Sequence, residues 1–400
     1  MKIAFSTWKF PALANTFILN EIVEVIRRGH DVRIYSIDRS DDRIVHDDVA
    51  RYSLLDRTRY LEDYVPPERA RSRAMDRYTD DWLRERAYAL PVIARRLRHE
   101  RVDLVHGCFC NNSATVAMVV ARLARIPFSF ECHAHDLFVD LRHGEEKIRE
   151  AARIFPISDY NRRYLVEDLG CDPAKIRIRR VPIHKEHCDA IPETDREEGL
   201  VSFVGRLHPI KGLMDAVEAF SRVAEKIPSA KFRIIGDGEL RGALEERVRV
   251  LGLQGRVEFA GAMTNREALE IVRRSAVFLL PSVIASDKDR DGIPTSMIEA
   301  MYLRTPVVST RVSGIPELIE DGVEGFLAEP GDVEAIASSV ERLLTDPGLR
   351  NKMGERARMR IDGEFDRDRN LSILIGEWEA MCAERRPSAI RRLGRLLLRR

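Results

Sequence analysis

Cysteine, net charge and long apolar runs are all scarce in this sequence, and each shortage argues against a class of function. Six cysteines are spread over 400 residues, and the Cys-x-Cys step at Cys108 and Cys110 lacks the spacing and the partner pair of a zinc site. We therefore expect free thiols in a reducing compartment and no bound metal. A net charge of +1 provides no overall field that would attract nucleic acid. No apolar run reaches the length of about 18 residues that a bilayer-spanning helix needs.

The length and the pattern of the chain indicate two domains. Four hundred residues exceed one ordinary domain, and short apolar runs alternate with helical segments, which is typical of parallel, doubly wound sheets. We predict an α/β protein with two Rossmann-like domains, at residues 1–185 and 200–370. A helix at 371–386 is expected to return to the N-terminal domain, and residues 387–400 form a basic amphipathic tail.

The stretch from Pro281 to Glu317 is the most informative part of the sequence. An apolar strand ends at Pro281, and a polar loop leads through the turn Asp291-Gly-Ile-Pro to a short helix. Such a turn presents free backbone N–H groups and the positive end of a helix dipole to an anion. Asp291 and Glu299 bracket the turn, eight residues apart. Both carboxylates can therefore face one ligand.

Two earlier strand ends add glycine and fixed positive charge. One strand ends at Gly205, where a ligand can approach the backbone closely, and Arg206 and Lys211 flank the turn that follows. A breaking sugar–phosphate bond builds negative charge on phosphate oxygens, which fixed cations stabilise. Arginine offers a bidentate fork and lysine a point charge. The next strand closes at Gly236 in a Gly-Asp-Gly step.

These motifs together resemble the retaining glycosyltransferases of family GT4, most closely the exopolysaccharide and colanic-acid type. The family signature is two glutamates separated by seven residues, a Pro-Val-Val strand and a Gly-x-x-Glu helix start. Here the matching residues are Asp291, Glu299, Pro306-Val307-Val308 and Gly314-Ile-Pro-Glu317, so the first acid is one methylene shorter than usual. The resemblance implies the GT-B fold, with two doubly wound domains facing each other across a cleft. It also implies a metal-independent, retaining transfer of a hexose from a nucleotide diphosphate sugar.

The resemblance assigns a role to each matching residue of the second domain. Arg206 and Lys211 would bind the diphosphate, Glu299 the ribose hydroxyls, and Asp291 the sugar hydroxyls near the reacting carbon. For Glu317, capping of a helix is an equally good alternative to substrate contact. The other positions expected to line the nucleotide sugar are Gly205, Gly236, Gly292, Ile293 and Pro294.

The first domain would supply the acceptor side and one catalytic candidate. His133 and Asp136 match a His-x-x-Asp of the family that places the histidine near the anomeric carbon, and His135 competes for that role. A metal site at this cluster is disfavoured, because only one acid is local and no other ligand pair is suitably spaced. Thr16, in the turn after the first strand, would contact the acceptor or a phosphate, or would cap the next helix.

Arginine-rich segments raise the question of a membrane partner. Residues 68–101 have ten arginines against six acids, and residues 385–400 have seven arginines and no acid. A basic amphipathic segment can lie on an anionic bilayer, and a solvated terminus is the alternative. Because Met1 and Lys2 lead directly into an apolar strand, we expect no signal peptide. We predict a cytoplasmic protein, peripheral on the inner face of the plasma membrane if the tail binds lipid, with a glycan or lipid-linked acceptor.

Two other functions are compatible with the same residues. A nucleotide-sugar epimerase on the same two-domain frame would turn over nucleotide sugar without an acceptor. A non-catalytic GT-B protein would bind sugar or nucleotide only, and the aspartate at position 291 keeps this alternative open. A panel of UDP-, GDP- and ADP-sugars, followed by an acceptor-dependent assay of nucleotide release, separates the three functions.

Overall fold

A computed structural model describes residues 1–12, 16–42, 46–64, 81–86 and 88–385 of the chain. The chain divides into two compact units, and each has its own parallel sheet. Unit 1 comprises Met1–Pro156, Arg162–Arg179 and the chain from Leu371 onward; unit 2 comprises Ile157–Asn161 and Arg180–Asn370. The main division falls between Arg179 and Arg180, before the predicted boundaries at residues 185 and 200, and the short segment Ile157–Asn161 also belongs to unit 2.

Six strands of unit 1 pair in parallel in the order β3-β2-β1-β4-β5-β6. They are β1 (Lys2–Phe10), β2 (Asp31–Arg39), β3 (Thr58–Tyr60), β4 (Leu104–Gly107), β5 (Phe128–Cys132) and β6 (Arg153–Pro156). The helices between and around them are α1 (Thr16–Arg27), α2 (Asp47–Arg51), α3 (Asp81–Arg86), α4 (Ala89–His99), α5 (Asn112–Ala124), α6 (His135–Phe138) and α7 (Gly144–Glu150).

Unit 2 repeats this plan in the order β12-β11-β10-β7-β8-β9. Its strands are β7 (Glu197–Val204), β8 (Lys231–Ile235), β9 (Val257–Gly261), β10 (Ser275–Leu280), β11 (Val307–Thr310) and β12 (Gly325–Ala328). The remaining helices of the chain are α8 (Asp159–Arg163), α9 (Lys185–Asp189), α10 (Leu213–Lys226), α11 (Arg241–Val250), α12 (Asn265–Arg274), α13 (Thr295–Tyr302), α14 (Ile315–Leu318), α15 (Val333–Thr345), α16 (Pro347–Glu364) and α17 (Arg367–Arg385).

In each sheet, successive strands of the chain are added first toward one edge and then toward the other, and the switch lies between one pair of neighbouring strands. In unit 1 the pair is β1 and β4, and in unit 2 it is β7 and β10. Ligands of doubly wound sheets bind beyond the carboxyl ends of the strands at such a switch point. The sheet order of unit 2 therefore directs attention to the residues that follow Val204 and Leu280.

The predicted C-terminal helix is present as α17, and from Leu371 it belongs to unit 1. Trp378 is fully buried there against Phe5, and its indole Nε1 donates to Ser129 Oγ on β5 over 3.0 Å. A buried indole that also satisfies its N–H holds a helix at one position. Residues 386–400, which carry most of the predicted basic tail, lie outside the described residues.

Two expectations about the whole chain can be compared with the described part. The six cysteines have free thiols, five of them buried and Cys382 partly so, as predicted. None of the helices in the described ranges combines the length and the apolar character that a bilayer crossing requires.

Candidate active site

The loops beyond β7, β8 and β10 approach one another so closely that only glycine can occupy the contact points. Gly212 has φ +63°, and a Cβ on it would lie 1.8 Å from the carbonyl oxygen of Pro281. Gly236 has φ +131°, and its Cβ would lie 1.9 Å from the carbonyl oxygen of Gly205. Because both opposing atoms belong to the backbone, neither clash can be relieved by a rotamer change. Gly236, predicted to allow close approach of the ligand, therefore also allows the loops after β7 and β8 to pack against each other.

Lys211 and Asp291, predicted as separate contacts, form one ion pair. Lys211 Nζ donates to Asp291 Oδ1 over 2.6 Å, and Ser282 Oγ donates to Asp291 Oδ2 over 2.7 Å. The lysine and aspartate side chains are 14% and 10% exposed, and Ser282 is fully buried. Both carboxylate oxygens are thus engaged, and Asp291 holds the ammonium group at the carboxyl ends of β7 and β10.

Arg206 contrasts with Lys211 in being exposed. Within the described residues its side chain forms no hydrogen bond and no ion pair. It directly follows Gly205 at the end of β7. All five N–H donors of its guanidinium are therefore available to an oxyanion.

The turn before α13, which is predicted to line the nucleotide sugar, is buried. Gly292, Ile293 and Pro294 are buried, and Pro294 lies at the N-cap with φ −65° and ψ 126°. The sequence favours Pro294 as the first helical position, but its extended ψ places it at the N-cap, one residue before the helix. The first N–H groups of a helix have no partner within it, so those at the start of α13 can donate to an anion.

Glu299 lies on the second turn of α13 and is partly buried. Its Oε1 accepts from Asn265 Nδ2, at the start of α12, over 3.1 Å. Burial raises the pKa of Glu299, and the hydrogen bond from Asn265 offsets part of that rise. Asn265 was not predicted, because nothing in its own sequence neighbourhood distinguishes it from a solvent-exposed helix start.

Glu317 is engaged within unit 2 by three donors. Its carboxylate accepts from the N–H groups of Asp159 and Tyr160 over 2.8 and 2.7 Å, and from Arg180 Nη1 over 2.5 Å. The two N–H groups belong to the start of α8. Of the two roles considered for Glu317, this geometry serves helix capping. The capped helix is α8, whereas Glu317 itself lies on α14.

In unit 1 the two candidate histidines have different environments. His133 follows β5 and packs against the rings of Phe17 and Phe109, at centroid distances of 5.2 and 5.0 Å, and these two rings also contact each other. His135 is exposed on α6. Asp136 is 2% exposed, and its two oxygens accept from the N–H groups of His133 (3.0 Å) and Cys110 (2.9 Å). Asp136 therefore fixes the backbone around His133, while the substrate contact assigned to it stays a prediction.

A buried set of charges lies behind His133. His133 Nε2 is 3.5 Å from Glu131 Oε1, and Arg179 Nη2 donates to Glu131 Oε2 over 2.6 Å. Arg179 Nη1 also donates to Glu21 of α1. Burial would raise the pKa of Glu131, but the Arg179 charge outweighs it and the pKa is lowered; burial raises the pKa of Glu21.

The same carboxylates raise the question of a metal. Glu21, His106 and Glu131 bring possible ligand atoms within 4.8 Å of one another. Arg179, however, binds both carboxylates, so its guanidinium already supplies the positive charge that a metal ion would bring. These residues fit an ion pair better than a metal site.

One predicted contact cannot be placed. Thr16 begins α1, but its side chain lies outside the described part of the structure. Its role in acceptor or phosphate binding stays a prediction.

Comparisons with known proteins cover most of the chain. Residues 14–182 match the family model of the glycosyl transferase 4-like domain, and residues 185–360 match that of glycosyl transferases group 1. A putative colanic acid biosynthesis glycosyltransferase, WcaL of Escherichia coli (strain K12), is 27% identical over 94% of this chain and 99% of its own length. The amylovoran biosynthesis glycosyltransferase AmsK of Erwinia amylovora is 28% identical over 92% and 96%.

Solved structures show the same fold. Anabaena Alr3699/HepE in complex with UDP has a TM-score of 0.73 at 16% identity, covering 95% of this chain and all of that one. A glycosyltransferase from Rickettsia africae also has a TM-score of 0.73, at 15% identity, covering 95% and 98%.

The two doubly wound units have the fold of solved GT-B proteins, and the two domain matches and the curated relatives identify the chain as a glycosyltransferase. Within that class, the chain belongs to family GT4: its first part is a 4-like domain and its second a group 1 domain. The predicted fold class and family are confirmed, and these relatives lend no support to an epimerase or a non-catalytic protein.

Proposed function

We propose that this enzyme transfers a hexose from a nucleotide diphosphate sugar to a glycan or a lipid-linked oligosaccharide in exopolysaccharide biosynthesis, with retention at the anomeric carbon. The names of the relatives, colanic acid and amylovoran glycosyltransferases, support the pathway. Structural neighbours in complex with UDP and with UDP-glucose support a nucleotide sugar as the donor, and make a uridine nucleotide the first candidate.

The observation that carries the proposal is the arrangement of charge beyond β7 and β10. Arg206 has an exposed guanidinium without an acidic partner in the described residues, and Lys211 is held in place by Asp291. The start of α13 adds backbone N–H groups and a helix dipole. A diphosphate bound there would gain charge-assisted hydrogen bonds as its negative charge increases during bond cleavage.

Lys211 then acts from a position fixed before the donor arrives. With Asp291 on one side, the ammonium group retains donors for phosphate oxygens, since lysine has three. Preorganised donors avoid the reorganisation that would otherwise occur in the transition state. Glu299 would accept hydrogen bonds from the ribose hydroxyls, and His133 is assigned to the transferred sugar from the family resemblance.

We infer that the transfer needs no metal ion, because the two cations and the helix start provide the charge that a metal would supply. Front-face attack of the acceptor hydroxyl, with the departing phosphate taking its proton, accounts for retention without a nucleophilic side chain. Activity that is unchanged in a chelator supports this inference, and activity restored by a divalent ion after chelation contradicts it.

A donor panel tests the proposal directly. Calorimetric titration with UDP-, GDP- and ADP-sugars identifies the base and sugar, and nucleotide release is then measured with and without acceptor. We expect release to depend on the acceptor and the product to keep the anomeric configuration of the donor, as seen by NMR. Donor turnover in the absence of any acceptor would favour an epimerase, and tight binding without turnover a non-catalytic protein.

The proposal that the protein associates with a membrane is supported by two features, the basic C-terminal tail and the lipid-linked acceptor. Residues 385–400 carry seven arginines and no acid, a composition that is attracted to anionic lipid. Truncation after Pro387 should reduce co-sedimentation with anionic liposomes while acceptor-dependent release from a water-soluble acceptor stays unchanged. Equal sedimentation of the truncated and full chains would indicate a solvated terminus.

A further inference from the structure

We propose that Glu131, held by Arg179, is a positioning residue that sets the orientation and the hydrogen-bonding state of His133 for the transfer reaction. The proposal rests on the role of His133 at the transferred sugar. It adds two residues, Glu131 and Arg179, that the sequence motifs of the site do not contain.

The geometry begins with the alternation of strand β5. Glu131 and His133 are two positions apart, at the end of the strand, so their side chains leave the backbone on the same side. The Glu131 carboxylate divides its oxygens between two partners. Oε1 lies 3.5 Å from His133 Nε2, and Oε2 accepts from Arg179 Nη2 over 2.6 Å. The carboxylate therefore cannot turn toward the imidazole or away from it without losing the guanidinium.

Arg179 is itself fixed from a third element. Its Nη1 donates to Glu21 on α1, so two carboxylates hold one guanidinium from two directions. The side chains of Arg179, Glu131 and Glu21 are 4%, 2% and 8% exposed. The chain thus buries an acid–base–acid set directly behind one partly exposed histidine.

Such a set is a costly way to stabilise a fold. A buried ion pair rarely stabilises a protein more than well-packed apolar side chains of the same volume would, because the cost of desolvating the charges offsets most of their Coulomb attraction. All of β5 is buried, and an apolar residue at 131 would fit a buried parallel strand better than a carboxylate does. The placement of the charge next to His133 is therefore better explained by what it does to the imidazole.

The groups around His133 favour its protonated form. Burial would lower the pKa of His133, but the nearby carboxylate of Glu131, together with the charge of Asp136, outweighs it, and the pKa is raised. Of the other neighbours, burial lowers the pKa of His106 to about 4 and raises the pKa of the Cys108 thiol, so both are neutral near pH 7. Arg179 opposes protonation of His133 but also holds Glu131 ionised.

The consequence concerns the opposite edge of the ring. With Nε2 toward Glu131, any contact of His133 with a sugar hydroxyl uses Nδ1, and packing of the ring against Phe17 and Phe109 restricts its tilt. When the ring is protonated, Nδ1 donates; when it is neutral with the proton on Nε2, Nδ1 accepts. Glu131 thus decides both the direction and the polarity of the contact.

Glu131→Gln tests the proposal, because it keeps the volume and removes the charge. In this variant the NMR titration midpoint of the His133 imidazole should move to lower pH, because the carboxylate that raises the pKa of His133 is gone. In acceptor-dependent nucleotide release, we expect kcat to fall about 10- to 100-fold, the range seen for groups that orient a functional histidine. The KM for the donor should change little, and the pH profile should shift with the imidazole. Glu131→Asp, which retains the charge, should recover part of the loss.

Two comparisons separate positioning from general stability. Glu150→Gln removes one acid of the Arg122 ion pair in the same unit and should change neither the titration nor kcat. The double variant Glu131→Gln/His133→Gln should be no slower than His133→Gln alone, because residues that act through one another are not additive. Thermal unfolding of each variant shows that it is folded at the assay temperature.

The outcomes are distinct. An unmoved His133 midpoint, or additive losses in the double variant, would overturn the positioning role. Full acceptor-dependent activity of His133→Gln would instead remove His133 from the reaction, while the titration would still decide whether Glu131 controls its proton.

Discussion

Two arginines show how differently the two units use the same side chain. Arg179 in unit 1 is 3% exposed and lies between two carboxylates, whereas Arg206 in unit 2 is exposed and has no acidic partner in the described residues. A guanidinium whose donors are already satisfied can only fix its neighbours. One whose donors are free can bind an anion. The difference assigns scaffolding to unit 1 and ligand charge to unit 2, although both residues look alike in the sequence.

Arg179→Ala should have the largest effect, and on stability. It leaves Glu21 buried without its described counter-charge and Glu131 with His133 as its remaining charged partner, and breaking a buried pair in this way costs about 3–5 kcal/mol. The three tryptophans of the chain, Trp8, Trp82 and Trp378, all belong to unit 1, so tryptophan fluorescence in urea reports on this unit alone.

Arg206→Ala is the matched control, since it removes an arginine that has no described partner to lose. Its unfolding transition should coincide with that of the unchanged protein, while its affinity for nucleotide sugar falls; because Arg206 belongs to unit 2, this transition is followed by far-UV circular dichroism, which reports on both units. Equal stability losses in the two variants would remove the distinction between the two arginines.

Lys211→Ala should lower kcat about 10²- to 10³-fold, the usual cost of one preorganised donor to developing charge. The variant also leaves Asp291 with Ser282 as its described partner. Lys226→Ala, which breaks the exposed pair with Glu341, is the control and should leave kcat unchanged. Undiminished turnover by Lys211→Ala would remove Lys211 from the reaction.

Glu299→Gln should weaken donor binding and abolish the pH dependence of the KM for the donor. Burial raises the pKa of Glu299 above its ordinary value. As pH falls, Glu299 therefore becomes protonated at a higher pH than an exposed glutamate does. Since the carboxylate is the form that accepts from two ribose hydroxyls, the KM for the donor should rise as pH falls through that raised midpoint.

In the glutamine variant the KM is expected to be about tenfold higher at neutral pH, in line with the loss of one charged hydrogen bond, and flat across the acid range. Glu270→Gln on neighbouring α12, which breaks an exposed pair with Arg266, should retain the pH dependence. A KM that varies with pH equally in the Glu299 variant would assign the titration to another group.

Local patterns predicted the frame of the fold but not its edges. The apolar run Lys231–Ile235 predicts a strand, which is present as β8. Ser158 before a helical run predicts an N-cap, and its Oγ accepts from Asn161 N–H over 3.0 Å. No periodicity predicts the edge strands β3 and β12, which have three and four residues. The sequence also predicts one helix from Asp159 to Leu169, but the structure is π-helical from Tyr164.

The site divides in the same way. Arg206, Lys211, Asp291 and Glu299 could be named as candidates because their motifs are local in the sequence. Partners supplied from far along the chain could not, since no spacing links Glu131 to an arginine 48 positions later. A charge inside the apolar strand Phe-Ser-Phe-Glu-Cys was a usable signal, because a buried carboxylate requires a partner somewhere.

Ser282→Ala should have the smallest effect, and it tests whether the Lys211–Asp291 pair needs its own support. Loss of one hydrogen bond to a carboxylate costs about 1.5–3 kcal/mol when the acceptor stays buried, of which we expect less than half in catalysis, a loss of kcat of up to about tenfold. Ser309→Ala is the control: Ser309 is equally buried, but its hydroxyl donates to the Leu280 carbonyl oxygen. If both serine variants lose stability and neither loses kcat, Asp291 holds Lys211 without help, and unit 2 keeps its ligand charge by a single ion pair, in contrast to the doubly braced Arg179.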